Sequence, residues 1–412
     1  MTRKEILPGV FITCLPAAGG GDSLLSLYLV TRLCRENAAQ NALIPYVLTQ
    51  GTVSYPDVEA LACRMGDLET SLWPRVRKLG EIQCLGLRAE FSRAGALEDV
   101  AALLGEVLLS PNTRGGLFLP QYVDTAREEL LDALYVLNEE PTDCCLSRLT
   151  ALMCDGEDYA VDALGTVAGM DSAGYVALTR HYKTLLAASP VEIFYCGPDD
   201  PGRVERAMTD ALITLPRGEL DPDIGTDIRM NAVEAQPRHV TEEGFFEENH
   251  MAVGYRLGEG AMLEPDMAAL AVLEVLMNGR LAKDTAVYRD ACAVLDPMTG
   301  VLLITCAADD EEAAAEQIDA HLRAIGEGDV SGEELSAAKD ALAHVLLAKA
   351  GSAAETEVFW LGQSLLGLEY GPAELAALAS DVPVAGAANA AADAERDMVY
   401  FLAATAPAQE DD

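Results

Sequence analysis

Histidine is scarce in this chain. Its 412 residues include only five, His181, His239, His250, His321 and His344. No two stand four apart, so no helix turns a pair of imidazoles toward one metal. The ten cysteines form no CxxC pair, which excludes a zinc ribbon; they sit mostly inside apolar runs, as free thiols of a reducing compartment do. Cations are few as well: 28 Lys and Arg against 67 Asp and Glu leave a net charge of −39. Phosphate backbones and anionic lipid would repel such a chain, so neither nucleic acid nor a membrane is expected as a partner, and solubility is the plain reading of the charge. No apolar run reaches the roughly 18 residues of a membrane span. The start, "MTRKEILPGVFITCLP", is interrupted by Glu5, Pro8 and Pro16 and reads as a first strand, not a signal peptide, so a cytoplasmic protein is expected. There is no GxSxG, no P-loop and no GxGxxG in a βαβ setting, and "AAGGGDS" (17–23) reads as a turn.

What is present is a globular chain, half of it apolar and long enough for two cores. Apolar residues at spacings of three and four predict helices over "LEDVAALLGEVLL", "YVDTAREELLDALYVLNEE", "GYVALTRHYKTLLAA" and "PGRVERAMTDALITL". Strands are expected at "SLLSLYLVTRL", "IQCLGLRAEFS" and "VEIFYCGP", with Asp199 and Asp200 capping the helix that follows. A polar stretch without lasting periodicity, 218–240, reads as a linker between domains at 1–217 and 241–412. Beyond it the order recurs: strand "HMAVGYRL", helix "PDMAALAVLEVLMNG", a hairpin across "DPMTG", an acidic-start helix, a helix opened by "SGEE", and a final strand "DMVYFLAAT" that echoes "VEIFYCGP". Two related α+β domains, each a mostly antiparallel sheet covered by helices, are the economical reading.

One segment poses a chemical question. "NALIPYVLTQGTVSYPD" (41–57) is an amphipathic helix with Pro45 and Tyr46 at its middle, then a Gly-Thr stop. A mid-helix proline removes a backbone hydrogen bond and can cost about 3 kcal/mol. Together with "VEIFYCGPDDPGRVERAM", "ENHMAVGYRL" and "GDVSGEELSAAKDAL", which keep their order over nearly the whole chain, this segment resembles the pitrilysin/insulinase-type metallopeptidases, in their mitochondrial-processing-peptidase-like branch. Active members carry HxxEH just before the Gly-Thr: two histidines bind zinc and the glutamate activates water. Here the resemblance puts Ala42 and Tyr46 at the histidine positions and Pro45 at the general base. It puts the third ligand, a glutamate on a later helix, at Ala133 to within about one turn.

The resemblance therefore implies a noncatalytic homologue with no metal and no cofactor. Its expected role is to pair with a sister subunit bearing an intact HxxEH and to help enclose a short peptide, gripped as a strand added to a sheet edge. Paired members use an Arg and a Tyr of the second half to hold the peptide; Tyr288 falls at the Tyr position and Arg280 near the Arg one. The acidic composition predicts a preference for basic peptides. The alternative is a stand-alone interaction or scaffold protein that kept the fold. "HVTEEGFFEENH", with His239, Glu242, Glu243 and His250, has no one-face spacing and is not read as a metal site.

Overall fold

The computed structural model describes residues 3–16, 22–137, 139–221, 224–226, 229–258 and 267–405. It forms two compact units, each discontinuous in sequence. The first comprises Met1–Leu134, Val161–Gly225 and Lys349–Gly371; the second comprises Tyr135–Ala160, Thr226–Ala348 and Pro372–Asp412. The expected turn at 17–23 lies almost wholly outside the described residues.

The first unit holds strands β1 (Lys4–Leu7), β2 (Val10–Pro16), β3 (Ser23–Arg32), β4 (Thr70–Leu79) and β5 (Ile82–Phe91). A two-residue ribbon, β6 (Thr113–Arg114) with β7 (Leu117–Phe118), and strand β8 (Val191–Gly197) complete its strands. Its sheet runs β1-β2-β8-β3-β5-β4, antiparallel except that β2 and β8 are parallel. The second unit holds β9 (Arg238–Gly244), β10 (His250–Arg256), β11 (Arg289–Asp296), β12 (Val301–Ala307) and β13 (Glu395–Ala404), in the order β11-β12-β10-β13-β9, with β13 and β9 parallel. The two sheets have one plan. The first strand lies parallel to the last, the second pairs the last from its other side, and a hairpin completes the sheet; β1 is the first unit's addition. The mixed architecture and the internal duplication expected from the sequence are both present.

Alternation along β3 explains how the first sheet is used. Leu25, Leu27 and Leu29 enter the main core, joined by Leu85 and Leu87 of β5 and by three helices, α1 (Ala38–Leu48), α2 (Val58–Leu68) and α3 (Leu97–Leu109). α3 buries Leu97, Val100, Ala101, Leu104, Val107 and Leu108, a helical stripe. It closes on the helix Pro201–Leu212 at Gly105, where a Cβ would lie 2.6 Å from the Ala211 carbonyl oxygen. Asp200 caps that second helix by accepting from the Arg203 amide at 3.2 Å. A fourth helix of the unit, α4, runs Pro120–Leu137.

The other face of the sheet is polar at Ser26 and Tyr28 and is roofed by the helix Ala353–Leu366. From that helix comes Glu357, fully buried, which accepts from Ser26 Oγ at 3.0 Å and Arg77 Nη2 at 3.4 Å. Glu192 of β8, 2% exposed, is met by Arg3 Nε and Ser364 Oγ, each at 3.0 Å. So helices cover both faces at the sheet's centre, which is why β3 and β8 are buried almost throughout.

Sequence patterning missed β4 and the β6-β7 ribbon, and it missed β9, which begins inside the stretch read as linker. β9, "RHVTEEG", alternates half-buried and exposed residues and pairs only on its β13 side, so its apolar content is too low to stand out. The cap at "SGEE" is as expected: Ser331 Oγ accepts from the Glu334 amide at 3.1 Å. Among the cysteines, Cys63 and Cys292 are exposed and the rest are buried or half-buried thiols.

The second unit is pinned by a buried guanidinium. Arg256, 1% exposed, donates from Nε to Asp397 at 3.0 Å and from Nη1 and Nη2 to the two oxygens of Glu157 at 2.9 and 2.6 Å. Arg238 also reaches Asp397, at 2.6 Å. Removing one partner of a buried pair leaves the other charge desolvated and uncompensated. Arg256→Met should therefore destabilise the protein by about 3 kcal/mol in urea titration, since Arg238 and Arg229 remain to share the carboxylates. Arg256→Lys, which keeps the charge and loses the fork, should fall between the variant and the wild type.

Candidate functional site: a helix without metal donors

α1 begins behind Asn37 and carries Pro45 inside it. Nine of its eleven residues are buried, among them Ala42 and Pro45, while Tyr46 is half-buried against the core. Asn41, fully buried, is fixed by its side chain: its amide donates to Gln83 Oε1 at 2.7 Å and its oxygen meets His181 Nε2 at 2.5 Å. The end of the helix is secured by Thr49 Oγ1 and Gln50 Nε2, which donate to the Tyr46 carbonyl at 2.9 and 3.2 Å.

The Gly-Thr that follows has a structural reason to exist. Gly51 has φ +156°, and a Cβ on it would lie 2.9 Å from the Pro56 carbonyl. Thr52 is fully buried; its hydroxyl donates to Glu106 Oε1 at 2.7 Å and accepts from the Tyr55 amide at 3.0 Å. Glu106 also accepts from the Ser54 amide at 3.0 Å. The turn is thus held by the core and by a carboxylate of α3, and it needs no metal.

Ala133 lies half-buried on α4, and its side chain offers no donor. The carboxylate that α4 brings to the end of α1 is Glu129, one turn earlier, whose Oε1 accepts from Gln50 Nε2 at 3.3 Å. Burial pushes the Tyr46 phenol up, Arg75 lowers it and Glu129 raises it. One carboxylate and one protonated phenol do not make a tetrahedral zinc site, and no group of three or more His, Cys, Asp or Glu able to hold a metal occurs among the described residues. The residues present do not fit zinc.

The remaining singled-out residues do not converge. Arg280 donates to Glu334 from Nε at 2.8 Å, to the His321 carbonyl at 3.1 Å and to the Asp329 carbonyl at 2.5 Å. The Arg280 hydrogen bond to Glu334 holds that carboxyl below its ordinary range. Tyr288 is 1% exposed, and its buried hydroxyl has no hydrogen-bond partner among the described residues. His239 pairs with Glu311 at 3.1 Å, while Glu242 accepts from Arg148 Nε at 3.0 Å and Tyr400 at 2.9 Å.

What sequence reasoning missed is the local charge at the edge strand β4. β4 ends its sheet and carries Arg75 and Arg77 on the face shared with Tyr28, and Arg88 of β5 stands on the same face. Arg77 is paired with Glu357 and Arg88 with Glu90. Among the described residues no carboxylate is in contact with Arg75: it donates to the Pro74 carbonyl at 3.1 Å, and the Trp73 ring lies 5.7 Å away. Burial first and Arg88 next lower the Arg75 pKa. This face at the edge strand β4 therefore carries three guanidiniums, two of them paired with carboxylates, within a chain of net charge −39.

Two outcomes follow. Zinc added to the purified chain should not be retained at stoichiometric level after dialysis, read by elemental analysis, and a chelator should leave Tm unchanged. Burial also lowers the pKa of His181. The unfolded chain then takes up a proton near pH 6.5 that the folded chain resists, so stability should fall as pH drops below about 6.5. His181→Gln should lessen the loss of Tm between pH 7 and pH 5.5.

No family model matches the chain. By sequence it is 22% identical over 396 residues to "Probable inactive metalloprotease YmfF" of Bacillus subtilis, covering 92% of each chain. In structure it is similar to a conserved protein of Enterococcus faecalis, with TM-score 0.84, 18% identity and coverage of 98% of this chain and 99% of that one. A peptidase M16 inactive domain from Pseudomonas fluorescens superimposes with TM-score 0.75 at 16% identity over 98% of both chains. The chain thus has the fold of such M16-like peptidase domains, is similar in sequence over nearly its full length to a probable inactive metalloprotease, and contains no HxxEH motif.

Proposed function

We propose that this chain is a catalytically silent peptidase homologue that works as the noncatalytic subunit of a pair, its partner a sister chain with an intact HxxEH, the two together enclosing a short extended peptide. The observation that carries the reading is selective loss. The helix, the Gly51-Thr52 turn and the open edge of β4 are all kept, and only the donors that would bind metal are replaced, by Ala42, Pro45 and Tyr46. A sheet edge left open beside a former active site is suited to taking an extended peptide as an added strand. The similar Bacillus subtilis protein is itself named an inactive metalloprotease, in keeping with this reading.

One observation favours the stand-alone scaffold instead. Arg280 is engaged with Glu334 and two carbonyls, and Tyr288 is buried, so neither presents a free polar group for a peptide. In the paired reading these two residues stabilise their own unit and the peptide is held elsewhere.

Gentle capture of the tagged chain from its own host, followed by mass spectrometry, separates the two. Near-stoichiometric recovery of a homologue bearing HxxEH is expected, with peptidase activity appearing only when both chains are present. Recovery of the chain alone, or with unrelated proteins, favours the scaffold.

A further inference from the structure

The open edge of β4 is not uniform. Leu79 and Ile82 flank the two-residue turn Gly80-Glu81, so alternate residues from Ser71 to Leu79 turn their amides toward β5. The intervening residues, Thr70, Leu72, Pro74, Val76 and Lys78, turn theirs toward the open edge. Pro74 sits at the middle of that row and has no N–H to give. Its carbonyl is taken as well, by Arg75 Nη1 at 3.1 Å. A peptide laid along β4 therefore meets, at its centre, one missing donor and one occupied acceptor.

Arg75 stands over this gap with unused capacity. Its guanidinium has five N–H donors; among the described residues one is used, on a neutral carbonyl, and the ring of Trp73, itself 36% exposed, flanks it. The acids nearby are committed: Glu357 to Arg77 and Ser26, Glu90 to Arg88, and Glu129 to Gln50. Arg77 and Arg88 add positive potential on the same face. A half-buried guanidinium with two cationic neighbours and no carboxylate in contact is a site for an anion, and its fork matches a carboxylate.

We propose that β4 selects extended peptides carrying a carboxylate on a residue next to the one facing Pro74, so that its side chain shares the face of Arg75, which leaves the Pro74 carbonyl to pair with it. The inference rests on the peptide-binding reading above and names the class of peptide bound. It reverses the preference that the composition suggests. The net charge of −39 acts from a distance and is screened beyond about 8 Å at physiological ionic strength, whereas the Arg75 contact is made at hydrogen-bond distance in a partly dehydrated site.

The test is calorimetric titration of the full chain with three blocked eight-residue peptides of one β-forming backbone, bearing Glu, Gln or Lys at alternate positions. The Glu peptide should bind at least tenfold more tightly than the other two. Arg75→Ala should abolish that preference and Arg75→Lys should keep part of it, each with its Tm recorded. Equal binding of all three by the wild type, which needs no variant to interpret, would overturn the acidic preference and leave peptide binding standing. Retention of the Glu preference by a folded Arg75→Ala would overturn the assignment to Arg75. Failure of every peptide to bind would sink the preference together with the peptide-binding reading beneath it.

Discussion

The packing of α1 against the first sheet is the constraint on which the rest of the first unit depends. Ala42, Leu43, Ile44, Val47 and Leu48 enter one core with β3, β5 and α3, and Asn41 ties the helix to Gln83 and His181. A catalytic metal helix has to keep donors and a water at its surface. This one has turned the same turns of helix over to burial. The lost hydrogen bond at Pro45 is affordable only because tertiary contacts, not intrinsic helix propensity, hold the segment in place. Chemistry and packing compete for the same side chains here, and packing has taken them.

The turn after α1 likewise stands on packing. Gly51 remains because the Pro56 carbonyl leaves no room for a Cβ, and Thr52 because its buried hydroxyl joins Glu106 to the Tyr55 amide. Either substitution would strand buried polar groups or force the backbone apart. A residue with both a chemical and a structural role outlasts one with a chemical role alone.

The same distinction decides what was legible in the sequence. Strong periodicity gave α3, the Pro201–Leu212 helix, the β11-β12 hairpin and the two echoing strands, because each has a dedicated apolar face. β9 escaped notice because an edge strand with one partner needs little apolar content. No periodicity signals that Tyr135–Ala160 packs with the second unit or that Lys349–Gly371 packs with the first, since a helix reads alike whichever sheet it covers. At the candidate site, the absence of ligands at Ala42, Pro45 and Tyr46 could be read residue by residue. Glu129, and the isolation of Arg75 among committed acids, could not, because both depend on which neighbours three dimensions supply.

Net charge and local recognition differ for a related reason. A total of −39 describes the field far from the protein, whereas recognition is decided within a few ångströms, where pairing has already consumed most charges. On β4, Pro74 and Arg75 act as one device. The proline blunts an open edge against indiscriminate strand pairing, the hazard that every exposed sheet edge carries. The arginine covers the proline's carbonyl while the edge is empty and can exchange that neutral acceptor for a charged one. An edge protected in this way excludes most extended chains and admits those that bring their own anion. Specificity then comes from a backbone donor that is missing, with a charged side chain next to it.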